Sequence, residues 1–107
     1  MSLRLIEVLP EFARELEDLL QKQSQNALAA QVASAEIVER CVCHDDFCAS
    51  FYTQPRPYGT YPLERETFDL DSENGMVLVD VVNGTIAHVE VLYRDDVKST
   101  LDQVFKR

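Results

Sequence analysis

The sequence has no tryptophan, only three glycines and four prolines among its 107 residues. That scarcity excludes collagen-like and glycine-rich low-complexity chains, and it leaves no glycine-rich phosphate loop or dinucleotide fingerprint. Basic residues are also few: 10 Lys and Arg stand against 19 Asp and Glu, a formal charge of −9. Phosphate backbones are held by concentrated Lys and Arg, so nucleic-acid binding is disfavoured. The longest apolar runs, residues 27–30 and 76–79, have four residues each, whereas a bilayer span needs about 20. No transmembrane helix and no membrane partner are expected. The stretch Met1-Ser2-Leu3-Arg4, leading into Glu7 and Pro10, lacks the uninterrupted apolar segment of a secretory signal. Three cysteines, an odd number, fit a reducing compartment better than a disulfide framework, so a cytoplasmic setting is expected.

What is present suits a packed chain. Apolar residues make up 46% and charged residues 27%, far from the profile of a disordered segment, and the length matches a single domain over 1–107. The negative charge is spread along the chain, −5 over residues 1–54 (9 acidic, 4 basic) and −4 over 55–107 (10 acidic, 6 basic). No repeat and no linker-like shift in composition divides it.

Pro10 suits the first turn of a helix, and Phe12, Leu16, Leu19 and Leu20 recur at helical spacing behind it, predicting a helix over 10–22. A second, weaker helix is expected over 27–35, where Leu28 and Val32 are four apart. The period then changes to two. Residues 37–44 and 47–53 read as a hairpin about Asp45-Asp46, which sets Cys43 opposite Cys48 and Cys41 opposite Ser50. That count groups Val38, Val42, Phe47, Ala49 and Phe51 on one apolar face, and Ile37, Cys41, Cys43, Cys48, Ser50 and Tyr52 on the other. Pro55, Pro57, Gly59 and Pro62 mark an extended loop, and a short strand around Phe68 and Leu70 follows.

Asn83-Gly84 between two apolar runs predicts a type I′ hairpin joining strands at 76–82 and 85–93. A regular count across that turn puts Met76, Leu78, Val82, Ala87, Val89 and Val91 on one face and Val77, Val79, Val81, Ile86 and Leu92 on the other. Both faces would then be apolar, which calls for cover on both sides by helices or by a second subunit of a homodimer. Asp95 is placed to cap a last helix bearing Val97, Leu101, Val104 and Phe105. The expected fold is α+β, order ααβββββα: an antiparallel sheet of about five strands with two N-terminal helices and one C-terminal helix.

Residues with chemistry to offer are few. Cys41, Cys43 and Cys48, with His44, have ligand types that suit zinc, but the C-x-C-x4-C spacing lacks the C-x2-C pair that wraps the ion. The three cysteines are redox candidates if Cys43 and Cys48 meet, and small packed residues otherwise. Asp69, Asp71 and Glu73 alternate like calcium ligands, with Asp80 eleven residues after the first, yet Asn74 stands where an EF-hand loop needs glycine, so a solvated turn is expected. His88 shares a face with Glu90, an arrangement compatible with general-base work, while Asp80 falls on the opposite face and either reaches the sheet edge or finds a buried partner such as an arginine. Arg56, Tyr58 and Tyr61, on the proline-stiffened loop, have the residue types of interface anchors. The functional expectation is a small acidic, non-catalytic protein-binding module for a basic protein partner, with Arg56, Tyr58 and Tyr61 in contact. The alternative is a thiol-based redox or zinc-binding protein using Cys41, Cys43 and Cys48. No catalytic residue, metal ligand set or cofactor is assigned.

Overall fold

The computed structural model describes residues 3–41, 46–55 and 65–105. Two elements are not expected from the sequence: Leu3–Arg4 forms a two-residue strand, β1, and Leu5–Val8 a one-turn helix, α1, both too short to show a period. Helix α2 is Pro10–Lys22, with the proline in its first turn, Glu11 at its positive end and Lys22 at its negative end. Its buried stripe is Phe12, Ala13, Leu16 and Leu20. The helix stops because Ser24 takes a left-handed backbone (φ 61°), which lets the N–H of Ser24 donate to the carbonyl of Gln21 and that of Gln25 to the carbonyl of Leu20. Helix α3, Asn26–Gln31, starts anew and tightens into a 3₁₀ turn at Val32–Ser34.

Strand β2, Glu36–Ile37, pairs back with β1. Five further strands form one antiparallel sheet: β3 (Glu39–Arg40), β4 (Phe51–Tyr52), β5 (Arg65–Asp69), β6 (Met76–Val82) and β7 (Thr85–Leu92), in the order β3-β4-β7-β6-β5. Helix α4, Asp95–Val104, closes the chain; Asp95 is its first residue rather than its cap, a position where its charge faces the positive helix end. The α+β fold with a five-stranded antiparallel sheet is therefore as expected, with one additional helix, α1, and a separate two-stranded sheet, β1-β2.

The first hairpin keeps its expected register where it is described, since Arg40 pairs with Phe51 and the Cys41 N–H donates to the Ser50 carbonyl. Its expected faces hold in the middle, with Ala49 and Phe51 on the core side and Cys41, Cys48, Ser50 and Tyr52 on the other, but fail at its ends. The chain changes partner at Val38, so Ile37 points into the core (2% exposed) while Val38 is 46% exposed, and Phe47 at the far end is 40% exposed. Cys43 and His44 lie outside the described residues, and with them the Cys43–Cys48 pairing.

The larger correction concerns β6 and β7. Asn83 (φ 53°) and Gly84 (φ 78°) make the expected tight turn. Pairing starts as Val82↔Thr85 and Val81↔Ile86, but the next pair is Asp80↔His88, so Ala87 is an extra residue, a β-bulge. Past the bulge Val79 pairs with Val89 and Val77 with Val91. One inserted residue reverses the facing of everything beyond it. Val77, Val79, Val81, Ile86, Val89 and Val91 consequently share one face with Phe51, and each is at most 4% exposed. The ribbon is dry on one side, not on two. Leu5, Phe12, Leu16, Leu20, Leu28, Val32, Val97 and Leu101 from the helices join these residues in one hydrophobic cluster. None of Met76, Leu78, Val82 and Leu92, on the other face, belongs to it.

Polar side chains fix the helices to the sheet. The Gln31 amide donates to the Gly84 carbonyl (2.7 Å) and accepts from the Ile86 N–H (2.9 Å), clipping α3 to the hairpin turn. Arg94, 4% exposed, spends all five N–H groups: two on Glu15 of α2 (2.8 and 2.9 Å), two on Asp96 (3.0 Å each) and one on the Asn74 carbonyl (3.2 Å). Glu15 and then Asp96, by hydrogen bonds to the guanidinium, hold its charged form firmly, and the same bonds keep the Asp96 carboxyl below the usual range.

Candidate functional site

The bulge also decides where the chemistry lies. With the dry face filled by valines and Phe51, the polar side chains of the central strands are sorted to the outer face, which lies outside the hydrophobic cluster. Register places Glu39, Tyr52, His88, Asp80 and Thr67 in one row across all five strands, in that order. A second row runs Cys41, Ser50, Glu90, Leu78, Asp69, and the bridge Cys48↔Leu92 begins a third that continues to Met76.

Three members of the first row are joined. The Thr67 hydroxyl donates to Asp80 Oδ1 (2.6 Å), and Asp80 Oδ2 lies 3.0 Å from His88 Nδ1. A carboxylate only accepts, so this contact places a hydrogen on Nδ1 and leaves Nε2 of a neutral imidazole as the acceptor. The Tyr52 ring lies 4.5 Å from the imidazole, tilted by 45°. Asp80 (15% exposed) and His88 (13% exposed) are thus each other's partners across the bulge, correcting the expectation that they occupy opposite faces. The sequence carried one usable signal for this. Only a one-residue shift after Asn83-Gly84 brings Val77, Val79, Val81, Ile86, Val89 and Val91 together, and that shift necessarily brings Asp80 to His88.

Glu90 shares the outer face with His88 as expected, one row away, while Asp80 is the residue in hydrogen-bond contact. An oriented imidazole can accept a proton, but a reaction also needs a nucleophile and an enclosed substrate site. Two clefts lined by described residues lie elsewhere. One, of about 410 Å³, runs between α2 and the β5–β6 turn past Glu11, Arg14, Asp18 and Glu73. Another, of about 390 Å³, is lined by Gln31, Glu36, Gln54 and Thr85.

Cys41 is half-buried and Cys48 is buried, both on the outer face. Among the described residues no three His, Cys, Asp or Glu side chains are grouped to hold a metal ion. Residues 70–75 form the turn between Asp69 of β5 and the strand β6 that carries Asp80: the Asp69 carboxylate accepts from the N–H of Asp71, and Asp71 sits at φ 52°. Arg56, Tyr58 and Tyr61 lie outside the described residues, in the connection between β4 and β5.

Sequence reasoning missed two further features. Phe47 and Tyr93 stack with ring centroids 5.1 Å apart and planes within 20°, and Tyr93 is 60% exposed. Arg40, 5% exposed, pairs through Nη1 with Asp102 on α4; the hydrogen bond from Arg40, and then that from Lys98, holds the Asp102 carboxyl below its ordinary range. Neither buried arginine announces itself locally, because Glu15 and Asp102, which draw them in, are distant in the chain; Arg40 Nη2 is buried with no hydrogen-bond partner among the described residues. Comparison with known proteins found no matching family model, curated protein or solved structure. Among the described residues, no helix is long and apolar enough to cross a membrane.

Proposed function

We propose that this chain is a small acidic protein-binding module, without catalysis of its own, that engages a basic protein partner. The observation that carries the reading is the composition of the outer sheet face. It combines the half-buried apolar side chains of Tyr52, Leu78, Val82 and Leu92, and the exposed Met76, with the carboxylates of Glu39, Asp69, Asp80 and Glu90. That apolar contact area carries four carboxylates against one arginine, Arg65 opposite Val82, an excess that suits a partner of positive charge, which it steers and orients. The disposition of the basic residues adds to this: Arg40 and Arg94 are buried against carboxylates, which takes two of the chain's 10 cationic side chains off the surface. Arg56, Tyr58 and Tyr61 are proposed as further anchors on composition, and a reducing, cytoplasmic setting accompanies the reading.

The test is calorimetric titration with an eight-residue peptide of alternating arginine and glycine against its glutamate counterpart. Binding of the arginine peptide alone, weakening steadily as salt rises, is the expected result. Equal binding of both peptides, or of neither, rejects the reading. Light scattering on the free chain reports whether a second copy occupies the face instead.

A thiol-based role is the second reading, favoured by Cys41 and Cys48 lying on the same face as His88. A loss of two titratable thiols on mild oxidation, abolished by Cys43→Ser, or stoichiometric zinc by elemental analysis, would select it over the first.

A further inference from the structure

Tyr93 ends the β7 ribbon with a left-handed backbone (φ 62°). For a bulky aromatic residue this conformation is rare, and glycine would adopt it without strain. The conformation turns the next residue, Arg94, inward over the Phe12 ring (5.5 Å to its centroid) and leaves the tyrosine outside. The Tyr93 N–H donates to the Phe47 carbonyl (2.9 Å), and the two rings stack. Phe47 is 40% and Tyr93 60% exposed, so an aromatic platform faces solvent at the end of the sheet.

Two exposed carboxylates lie next to the platform in the chain. Asp46 precedes Phe47, and Asp95 follows Arg94; both are exposed. The cations nearby are occupied, Arg94 by Glu15 and Asp96, and Lys98 by Asp102 (3.1 Å). A tyrosine face attracts a cation through its ring quadrupole, and a planar guanidinium stacks on it as well. The same carboxylates, with the net −9 of the chain, repel nucleotide phosphates and a second copy. We propose that the Phe47–Tyr93 stack is the seat for an arginine side chain of the basic partner, with Asp46 and Asp95 supplying the countercharge. This inference rests on the proposed protein-binding function and names the residues that read the partner's charge.

The experiment titrates the full chain with acetyl-arginine methylamide and with its neutral citrulline isostere, following the Tyr93 and Phe47 ring signals by carbon-resolved NMR. The arginine–glycine octapeptide is then titrated into Tyr93→Phe, Tyr93→Ala and the Asp46→Asn, Asp95→Asn double variant. Expected are saturable ring shifts with the arginine probe alone, near-unchanged peptide affinity in Tyr93→Phe, and a loss of about two- to fivefold in Tyr93→Ala. The double variant should bind with a shallower salt dependence. Equal ring shifts from the citrulline probe overturn the proposal, as does self-association that Tyr93→Ala abolishes. If the octapeptide binds the unaltered chain and Tyr93→Ala with equal affinity, the aromatic seat is wrong while the protein-binding function stands. If it fails to bind the unaltered chain, the function itself is rejected and the seat with it.

Discussion

Replacing Glu15 by alanine should expose how much of the fold hangs on Arg94. The guanidinium is 4% exposed and would lose two charge-assisted hydrogen bonds, of 2.8 and 2.9 Å, keeping Asp96 and the Asn74 carbonyl. Ser72 loses its 3.3 Å contact with the same carboxylate. Breaking a buried ion pair from one side costs about 3–5 kcal/mol. Here the remaining Asp96 keeps the charge compensated, and the Glu15 side chain is 32% exposed, so water reaches the vacated site. About 2–3 kcal/mol is the resulting expectation, given roughly 1.5 kcal/mol for each hydrogen bond to a charged group. Alanine is itself a good helix former, so α2 should not suffer on its own account. For a domain of this size the loss corresponds to a fall of roughly 10–20 °C in Tm. Urea denaturation read by circular dichroism measures it, with Glu17→Ala on the same helix as the control. A change below about 0.5 kcal/mol, the value of an exposed surface pair, would refute the claim that Arg94 is a buried, obligate node.

Gly75→Ala should be among the more damaging single changes, since φ is +72° and a Cβ would sit 2.5 Å from the Leu92 carbonyl oxygen and 2.9 Å from the Arg94 side chain. Gly84→Ala, at φ +78° with open space around it, should cost only the backbone strain, about 1 kcal/mol, and a reversed order in chemical denaturation would contradict the packing at Gly75. Val79→Ala should destabilise by about 2 kcal/mol or more and its neighbour Leu78→Ala by clearly less, because the bulge puts only Val79 (0% exposed) in the core. A larger loss at Leu78 would mean the register of β6 and β7 is wrong. The lowered carboxyls of Asp96 and Asp102 bind protons more weakly folded than unfolded, so their stabilisation is present above the unfolded value of about 4 and is lost as pH falls through the lower folded values. Stability measured between about pH 5 and about pH 2 should therefore decline, and less steeply in Asp96→Asn; parallel declines would remove Asp96 from the account.

Elements whose signals are local were legible. Helix α2 is marked by Pro10 at one end and a four-residue apolar spacing along it, and the β6–β7 turn by Asn83-Gly84, whose two positive φ angles few other dipeptides accept. The outer-face site was legible only in pieces. His88 and Glu90 follow from strand alternation, whereas the contact of His88 with Asp80 depends on Ala87 being left out of the pairing. Arg94 and Arg40 look like ordinary surface cations until Glu15 and Asp102, 79 and 62 residues away along the chain, are brought to them.

Composition and period, acting alone, determined that the chain packs as α+β, that its long hairpin turns at Asn83-Gly84, and that its charge is strongly negative. These are properties of neighbouring residues and of sums, and they need no knowledge of what packs against what. Which side of the hairpin is dry was decided only in the assembled structure. Sliding the register by one residue at Ala87 costs a local irregularity and gathers six apolar side chains under α2, α3 and α4, a gain that exists only once those helices are in place.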